Sequence, residues 1–221
     1  MMTGTLLSDA ERMDRHYQYQ RFIYDLTRTH YLIGRKHLIE DLRPGPGEKV
    51  LEIGCGTAWN LIRIAQRYPE ADVFGIDVSN AMLDTARASV RRHGLDGRIR
   101  VAQADATAFS GQQAFGVAEF DRVFFSYALS MIPGWRDALS AGVAHLAPGG
   151  RLHIVDFGQC EKLPGSFKSV FFRFLQHYTV TPRADLEQSC ERVCAEYRLS
   201  LSFRRLHRGY TDYAVLSRST R

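Results

Sequence analysis

Between residues 49 and 157, short runs of β-branched and aromatic residues alternate with longer stretches whose apolar positions recur at helical spacing. The runs 50–53, 72–76, 99–103, 120–125 and 151–156 read as strands, and the stretches 60–68, 81–93 and 135–146 as helices. Ser79 is placed to cap the second helix and Gly94 to end it, while Pro148-Gly149-Gly150 should close the third. Alternation of this kind joins parallel strands through helical crossovers, so the expected fold class is α/β. Beyond residue 198 the pattern changes. Runs 199–205 and 210–217 are separated only by a turn at His207-Arg208-Gly209, which predicts an antiparallel finish and a mostly parallel seven-stranded sheet. Residues 8–42 are strongly helical and carry Tyr17, Tyr19, Tyr24 and Tyr31. The chain therefore reads as one domain: a helical cap (1–47), a ligand-binding core (48–160), a helical segment (161–198) and a β-hairpin (199–221).

Composition adds bounds to this picture. At 221 residues and 45% hydrophobic, the chain suits one domain with a single sizeable core. No apolar run approaches the roughly 18 residues of a membrane span, and residues 1–15 lack the pattern of a signal peptide, so a cytoplasmic location is expected. Cys55, Cys160, Cys190 and Cys194 form no Cys-x-x-Cys pair and no zinc spacing, and are read as reduced structural thiols. The formal charge of +5 lies entirely in the last quarter. Residues 161–221 hold 11 Lys and Arg against 6 Asp and Glu, whereas residues 1–160 balance at 18 each. That end favours an anionic partner, with phospholipid and nucleic acid as the two classes to separate.

The strongest chemical signal is Val50-Leu51-Glu52-Ile53-Gly54-Cys55-Gly56-Thr57, set where a buried strand turns into a helix. Glycines there let backbone approach a ligand at the carboxyl edge of the sheet. Asp77 ends the next strand 21 residues after Gly56, the right place for a carboxylate that grips a ribose. A dinucleotide is disfavoured on two counts. The position that should hold a third small residue is Trp59, and Glu52 would repel a pyrophosphate while tolerating an ammonium group. An amino-acid-bearing nucleoside fits both.

Together these residues resemble the class I S-adenosylmethionine-dependent methyltransferases, whose first motif reads Glu-x-Gly-x-Gly and whose Rossmann-like sheet ends in an antiparallel hairpin. The resemblance covers about residues 48–218. It implies that Glu52, Gly54, Cys55 and Gly56 line the methionine part of S-adenosylmethionine, that Asp77 and Val78 hold the ribose, and that Met82, Asp105 and Ala106 face the adenine. Ser126 would close the cofactor site, with Tyr31 and Arg35 reaching it from the cap. For Met82 the residues support an ordinary helix-core role equally well.

The stretch from Phe124 to Pro133 is where such enzymes present their acceptor, and Tyr127 lies within it. It lacks the Asn/Asp-Pro-Pro-aromatic and Pro-Cys patterns of nucleic-acid methyltransferases, so no nucleic-acid partner is expected. A narrower likeness comes from residues 17–28, reading Tyr-Gln-Tyr-Gln-Arg-Phe-Ile-Tyr-Asp-Leu-Thr-Arg, and from Tyr31-Leu-Ile-Gly-Arg35. This segment is similar to the start of the BtaB-type betaine lipid N-methyltransferases, which methylate the amine of diacylglyceryl homoserine three times. Physical chemistry suits that acceptor. Tyr17, Tyr24 and Tyr31 recur every seven residues, so they share a helix face, and aromatic faces attract quaternary ammonium at roughly 0.5–2 kcal/mol each. Arg28 and Arg35 suit a carboxylate, of headgroup or cofactor. The same tyrosine spacing also suits a simple docking stripe.

In the stretch 166–178, Phe167, Val170, Phe171, Phe174, Leu175 and Tyr178 fall on one apolar helix face bordered by Lys162, Lys168, Arg173, His177 and Arg183. Two readings stand: a helix lying in an anionic membrane interface, with the protein peripherally attached there, or a helix packed on the sheet. Methyl transfer from a sulfonium needs an aligned neutral amine and no metal. Tyr17, Tyr24, Tyr31 and Tyr127 are the candidate catalytic groups, and no unique base stands out. Phosphatidylethanolamine or a quinone precursor remains an alternative acceptor. A noncatalytic S-adenosylmethionine binder or an RNA-binding module is the reading from another class. A homo-oligomer is compatible with the sequence.

Overall fold

The computed structural model describes residues 32–220. Chain order runs α1 (Arg35–Leu42), β1 (Lys49–Ile53), α2 (Trp59–Arg67), β2 (Asp72–Asp77), α3 (Asn80–Arg92), β3 (Ile99–Gln103), α4 (Gly111–Phe115) and β4 (Phe120–Ser126). It continues through α5 (Trp135–Ala144), β5 (Leu146–Phe157), α6 (Gly165–His177), α7 (Leu186–Tyr197), β6 (Ser200–Leu206), a 3-10 turn (His207–Gly209) and β7 (Thr211–Ser217). The strands form one seven-stranded sheet in the order β3-β2-β1-β4-β5-β7-β6. The first five pair parallel, and β7 lies antiparallel between β5 and β6. This is the mostly parallel α/β sheet with an antiparallel finish that the sequence pattern implies, and it has the Rossmann-like form that the resemblance implies. Strand order reverses between β1 and β4, so a crevice opens above their carboxyl ends.

Both faces of the sheet are covered, which is why its central strands read as nearly continuous apolar runs. On one face Val50, Val73, Phe124 and Val155 pack with Leu38, Leu42, Leu61 and Ile64 of α1 and α2. On the other, Leu51, Ile53, Phe125 and Ile154 pack with Leu139 of α5 and Cys190 of α7. Alternation along β1 thus places Glu52 on the α1/α2 face, where it is 2% exposed. The tyrosine Tyr213 of β7 ties α1 to that face, its hydroxyl donating to Asp41 at 2.8 Å and lying 3.0 Å from Nδ1 of His153. Burial pushes the His153 imidazole down to about 4, so it stays neutral.

Three local expectations change. The helix expected over 135–146 ends at Ala144, because Leu146 pairs with Phe120 and is fully buried. Pro148-Gly149-Gly150 consequently lies within β5, across a register shift, rather than closing a helix. Helix α4, a five-residue turn capped by Ser110 and ended by Gly116 in the left-handed region, was too short to show a period. Of the expected helical stretch 8–42, only α1 lies within the described residues.

Candidate cofactor site

The loop from β1 to α2 turns back on β2. Backbone amides of Gly54 and Cys55 both donate to the Ile76 carbonyl at 2.9 Å. Gly54 has φ +77°, and a Cβ there would meet the Ala128 methyl at 2.8 Å. Only glycine suits that conformation and that approach. Gly56 is also left-handed, and its amide donates to Asp77 Oδ2 at 2.8 Å. The other oxygen of Asp77 accepts from the Ser79 amide at 3.0 Å. One carboxylate therefore gathers the loop leaving β1 and the turn entering α3. An ionised carboxylate accepts about four hydrogen bonds, so holding two loops does not by itself exhaust it. Ser79 caps α3, accepting from the Met82 amide at 3.3 Å, as its position in the sequence implies.

A second cluster lies under the loop. Asn60 in the first turn of α2 donates to Glu52 Oε1 at 2.6 Å and accepts from Arg35 Nε at 3.0 Å. Arg35 is 7% exposed, with its guanidinium carbon 3.6 Å from the centre of the Trp59 ring; Arg63 lies over the same ring at 3.4 Å. Trp59 therefore packs between two guanidinium groups, a cation–π stack. Buried charges are tolerated when paired and hydrogen-bonded, and Arg35, Asn60 and Glu52 supply each other with partners. Sequence reading missed Asn60 altogether. Its signal, a polar residue in the first turn of a helix after an acidic strand end, is too common to stand out.

The field in the loop is negative. Burial pushes the Cys55 thiol well above its usual range, and the charges of Asp77 and Glu52 push it the same way. A ligand carrying positive charge is attracted here, and a pyrophosphate is repelled. A Gly54 backbone without room for a Cβ, the Asp77 carboxylate at the end of β2 and this negative field fit a sulfonium nucleoside bearing an amino-acid tail.

The other expected cofactor residues sit around the same edge. Val78 is half-buried, and its carbonyl accepts from Gln103 Nε2 at 3.0 Å. Met82 is buried but belongs to neither large apolar cluster. Asp105 is exposed and its Oδ1 accepts from both the amide and the hydroxyl of Thr107 at 2.8 Å, which shapes the turn after β3; Ala106 within that turn is half-buried. Ser126 ends β4 at 8% exposure, and its Oγ has no hydrogen-bond partner among the described residues. A buried hydroxyl in that state calls for a partner from outside them.

Tyr127 differs from expectation. It is buried at φ +56°, its hydroxyl donates to the Ile33 carbonyl, and Thr211 Oγ1 lies 3.2 Å away. Its ring packs on Phe157, 4.5 Å between centres. Burial raises its ionisation well above that of an ordinary phenol. A hydroxyl so engaged is a poor proton acceptor, and Tyr127 is a structural pin between β4, β7 and the segment before α1. Tyr17, Tyr24 and Tyr31 lie outside the described residues. The four cysteines are free and buried. Among the described residues there is no group of three potential metal ligands and no helix long and apolar enough to cross a membrane.

Comparison with known proteins agrees with this geometry. A family described as a methyltransferase domain matches residues 50–150. The demethylmenaquinone methyltransferase of Listeria welshimeri is 29% identical over 144 residues, covering 65% of this chain and 58% of the relative. The ubiquinone/menaquinone biosynthesis C-methyltransferase UbiE of Dinoroseobacter shibae is 29% identical over 122 residues, 55% of this chain and 47% of that protein. The chain thus spans less than two thirds of the length of these relatives. Among solved structures, Haemonchus contortus phosphoethanolamine N-methyltransferase 2 in complex with S-adenosyl-L-methionine matches with a TM-score of 0.74 at 17% identity, over 97% of this chain and 60% of that one. At such identity the likeness speaks for the fold.

Proposed function

We propose that this chain carries a class I S-adenosylmethionine-dependent methyltransferase domain and uses it to add methyl groups to the amine of diacylglyceryl homoserine, yielding the trimethylated betaine lipid. The observation that carries methyl transfer is the Asp77 carboxylate gathering the Gly56 and Ser79 amides beside a glycine loop with a negative field. When bound, the cofactor supplies an electrophilic methyl on a sulfonium. The chain's own residues then bind, orient and exclude water. Gly54 and Gly56 bring backbone to the methionine part, Asp77 holds the ribose, and Val78, Met82, Asp105 and Ala106 border the adenine. Arg35 and Tyr31 are assigned to the methionine end.

The acceptor assignment is supported by the likeness of residues 17–35 to the BtaB-type enzymes and by an amine's requirements. An alkylamine with a pKa near 10.4 must lose a proton before attack. With Tyr127 engaged in packing, Tyr17, Tyr24 and Tyr31, which lie outside the described residues, are the aromatic groups assigned to a nitrogen that grows more cationic. A quinone precursor is the second reading, favoured by the names of the relatives from Listeria and Dinoroseobacter. Incubation with methyl-labelled S-adenosylmethionine and separated lipid classes decides between them. Mass spectrometry should show diacylglyceryl homoserine gaining one, two and three CH2 units. Label on a quinol precursor with none on the amine lipid would overturn the assignment.

A further inference from the structure

Among the described residues, helix α6 buries one edge against the rest of the fold. Taking about 100° per residue, Phe171, Leu175 and Tyr178 share one side, while Val170, Phe174 and Phe167 span a sector of about 60° next to it. Phe171 and Leu175 are buried, at 8% and 2% exposure. Val170 is 70% exposed, Phe167 44% and Phe174 41%, three of the four large apolar side chains most open to solvent among the described residues. Beyond this stripe, on the side away from the docked edge, come Arg173 and His177, both exposed. The stretch 162–184 contains four Lys and Arg and one His but no Asp or Glu. Arg183 is committed to the Leu129 and Ile132 carbonyls, at 3.0 and 2.9 Å, which leaves Lys162 and Arg173 as exposed cations and Lys168 half-buried beyond the docked edge. Lys168 sits over the Phe172 ring, 5.4 Å from its centre.

An exposed apolar stripe flanked by cations, without an anion over 23 residues, suits an anionic lipid surface. Its place in the fold points the same way. Phe167 stacks on Phe171 at 5.7 Å between ring centres, Phe171 meets Phe157 at 5.7 Å, and Phe157 meets Tyr127 at 4.5 Å. Phe157 ends β5 and Tyr127 follows β4, so this row of rings runs from the stripe to the carboxyl edge of the sheet.

We infer that α6 is an interfacial helix: its Phe167-Val170-Phe174 stripe inserts among the acyl chains of an anionic bilayer, with Lys162 and Arg173 at headgroup level, and so brings the crevice to a membrane-resident acceptor. The inference rests on the lipid-acceptor reading for its purpose but not for its test. Phe171 is excluded from mutation because it is part of the packing.

The test compares the full chain with Val170→Glu/Phe174→Glu, both at exposed positions, in co-sedimentation with phosphatidylcholine vesicles with and without phosphatidylglycerol. The wild-type chain sediments with the anionic vesicles, less so at high salt, and the double variant binds them at least about tenfold more weakly. An unchanged thermal shift with S-adenosylhomocysteine certifies the variant's fold. Equal binding by the folded variant, or wild-type binding indifferent to phosphatidylglycerol, overturns the inference. So does a wild-type dimer that the variant abolishes without any vesicle binding, which would assign the stripe to a second copy. If vesicles bind as expected but no lipid amine is methylated, it is the acceptor assignment that fails and the interfacial helix stands.

Discussion

Replacing Asp77 is the sharpest probe of the site, because one carboxylate is asked to do two things. In the folded protein it accepts from the Gly56 amide at 2.8 Å and the Ser79 amide at 3.0 Å, and under the proposed function it is also assigned both ribose hydroxyls. Hydrogen bonds to a charged acceptor are worth about 1.5–3 kcal/mol each, so losing two to the ribose removes about 3–6 kcal/mol. At about 1.4 kcal/mol per tenfold, Asp77→Ala should weaken S-adenosylhomocysteine binding by roughly two to four orders of magnitude. Asp77→Asn should fare little better. Its single carbonyl serves one of the two amides, while its NH2 faces the other donor. Isothermal titration calorimetry gives the affinity, and far-ultraviolet circular dichroism with a ligand-free melt establishes folding. A folded Asp77→Ala protein that binds within about threefold of wild type would refute the assignment of the ribose to this carboxylate.

Two further outcomes follow from buried groups. Asp212 is 4% exposed, its Oδ1 has no hydrogen-bond partner among the described residues, and it lies directly opposite Asp156 across the β5–β7 pair. Burial first, then the Glu161 charge, raises it from 3.8 to about 7. An acid whose folded value lies above its unfolded one stabilises the fold at low pH. That contribution drains away as pH climbs from about 4 to about 7, and at 1.36 kcal/mol per pH unit it amounts to about 4 kcal/mol. Urea unfolding of Asp212→Asn should therefore lose this decline and exceed wild type above pH 7; parallel stability curves would contradict it. For Tyr127→Phe, loss of the hydroxyl that binds the Ile33 carbonyl should cost about 1 kcal/mol in stability and leave the pH–rate profile of methyl transfer in place. A hundredfold fall in kcat with cofactor affinity intact would return Tyr127 to the chemistry.

Most of the sheet was legible because side-chain period is a local property: two for strands, 3.6 for helices. The glycine loop, the Ser79 cap and Asp77 were legible for a related reason, since their conformational demands restrict residue type at fixed spacing. Pro148-Gly149-Gly150 misled because pairing of Leu146 with Phe120 outweighs a local stop signal. What only the tertiary structure decided are groups joined across long separations. Asn60 bridges to Arg35 over 25 residues, and Tyr127 reaches the Ile33 carbonyl over 94. The apolar face of α6 is the plainest case. Periodicity announces that such a face exists but not what lies beside it, and here packing covers Phe171 and Leu175 while Val170 stays 70% and Phe174 41% exposed. Burial depends on which elements meet in space, and that is a property of the assembled fold rather than of any segment within it.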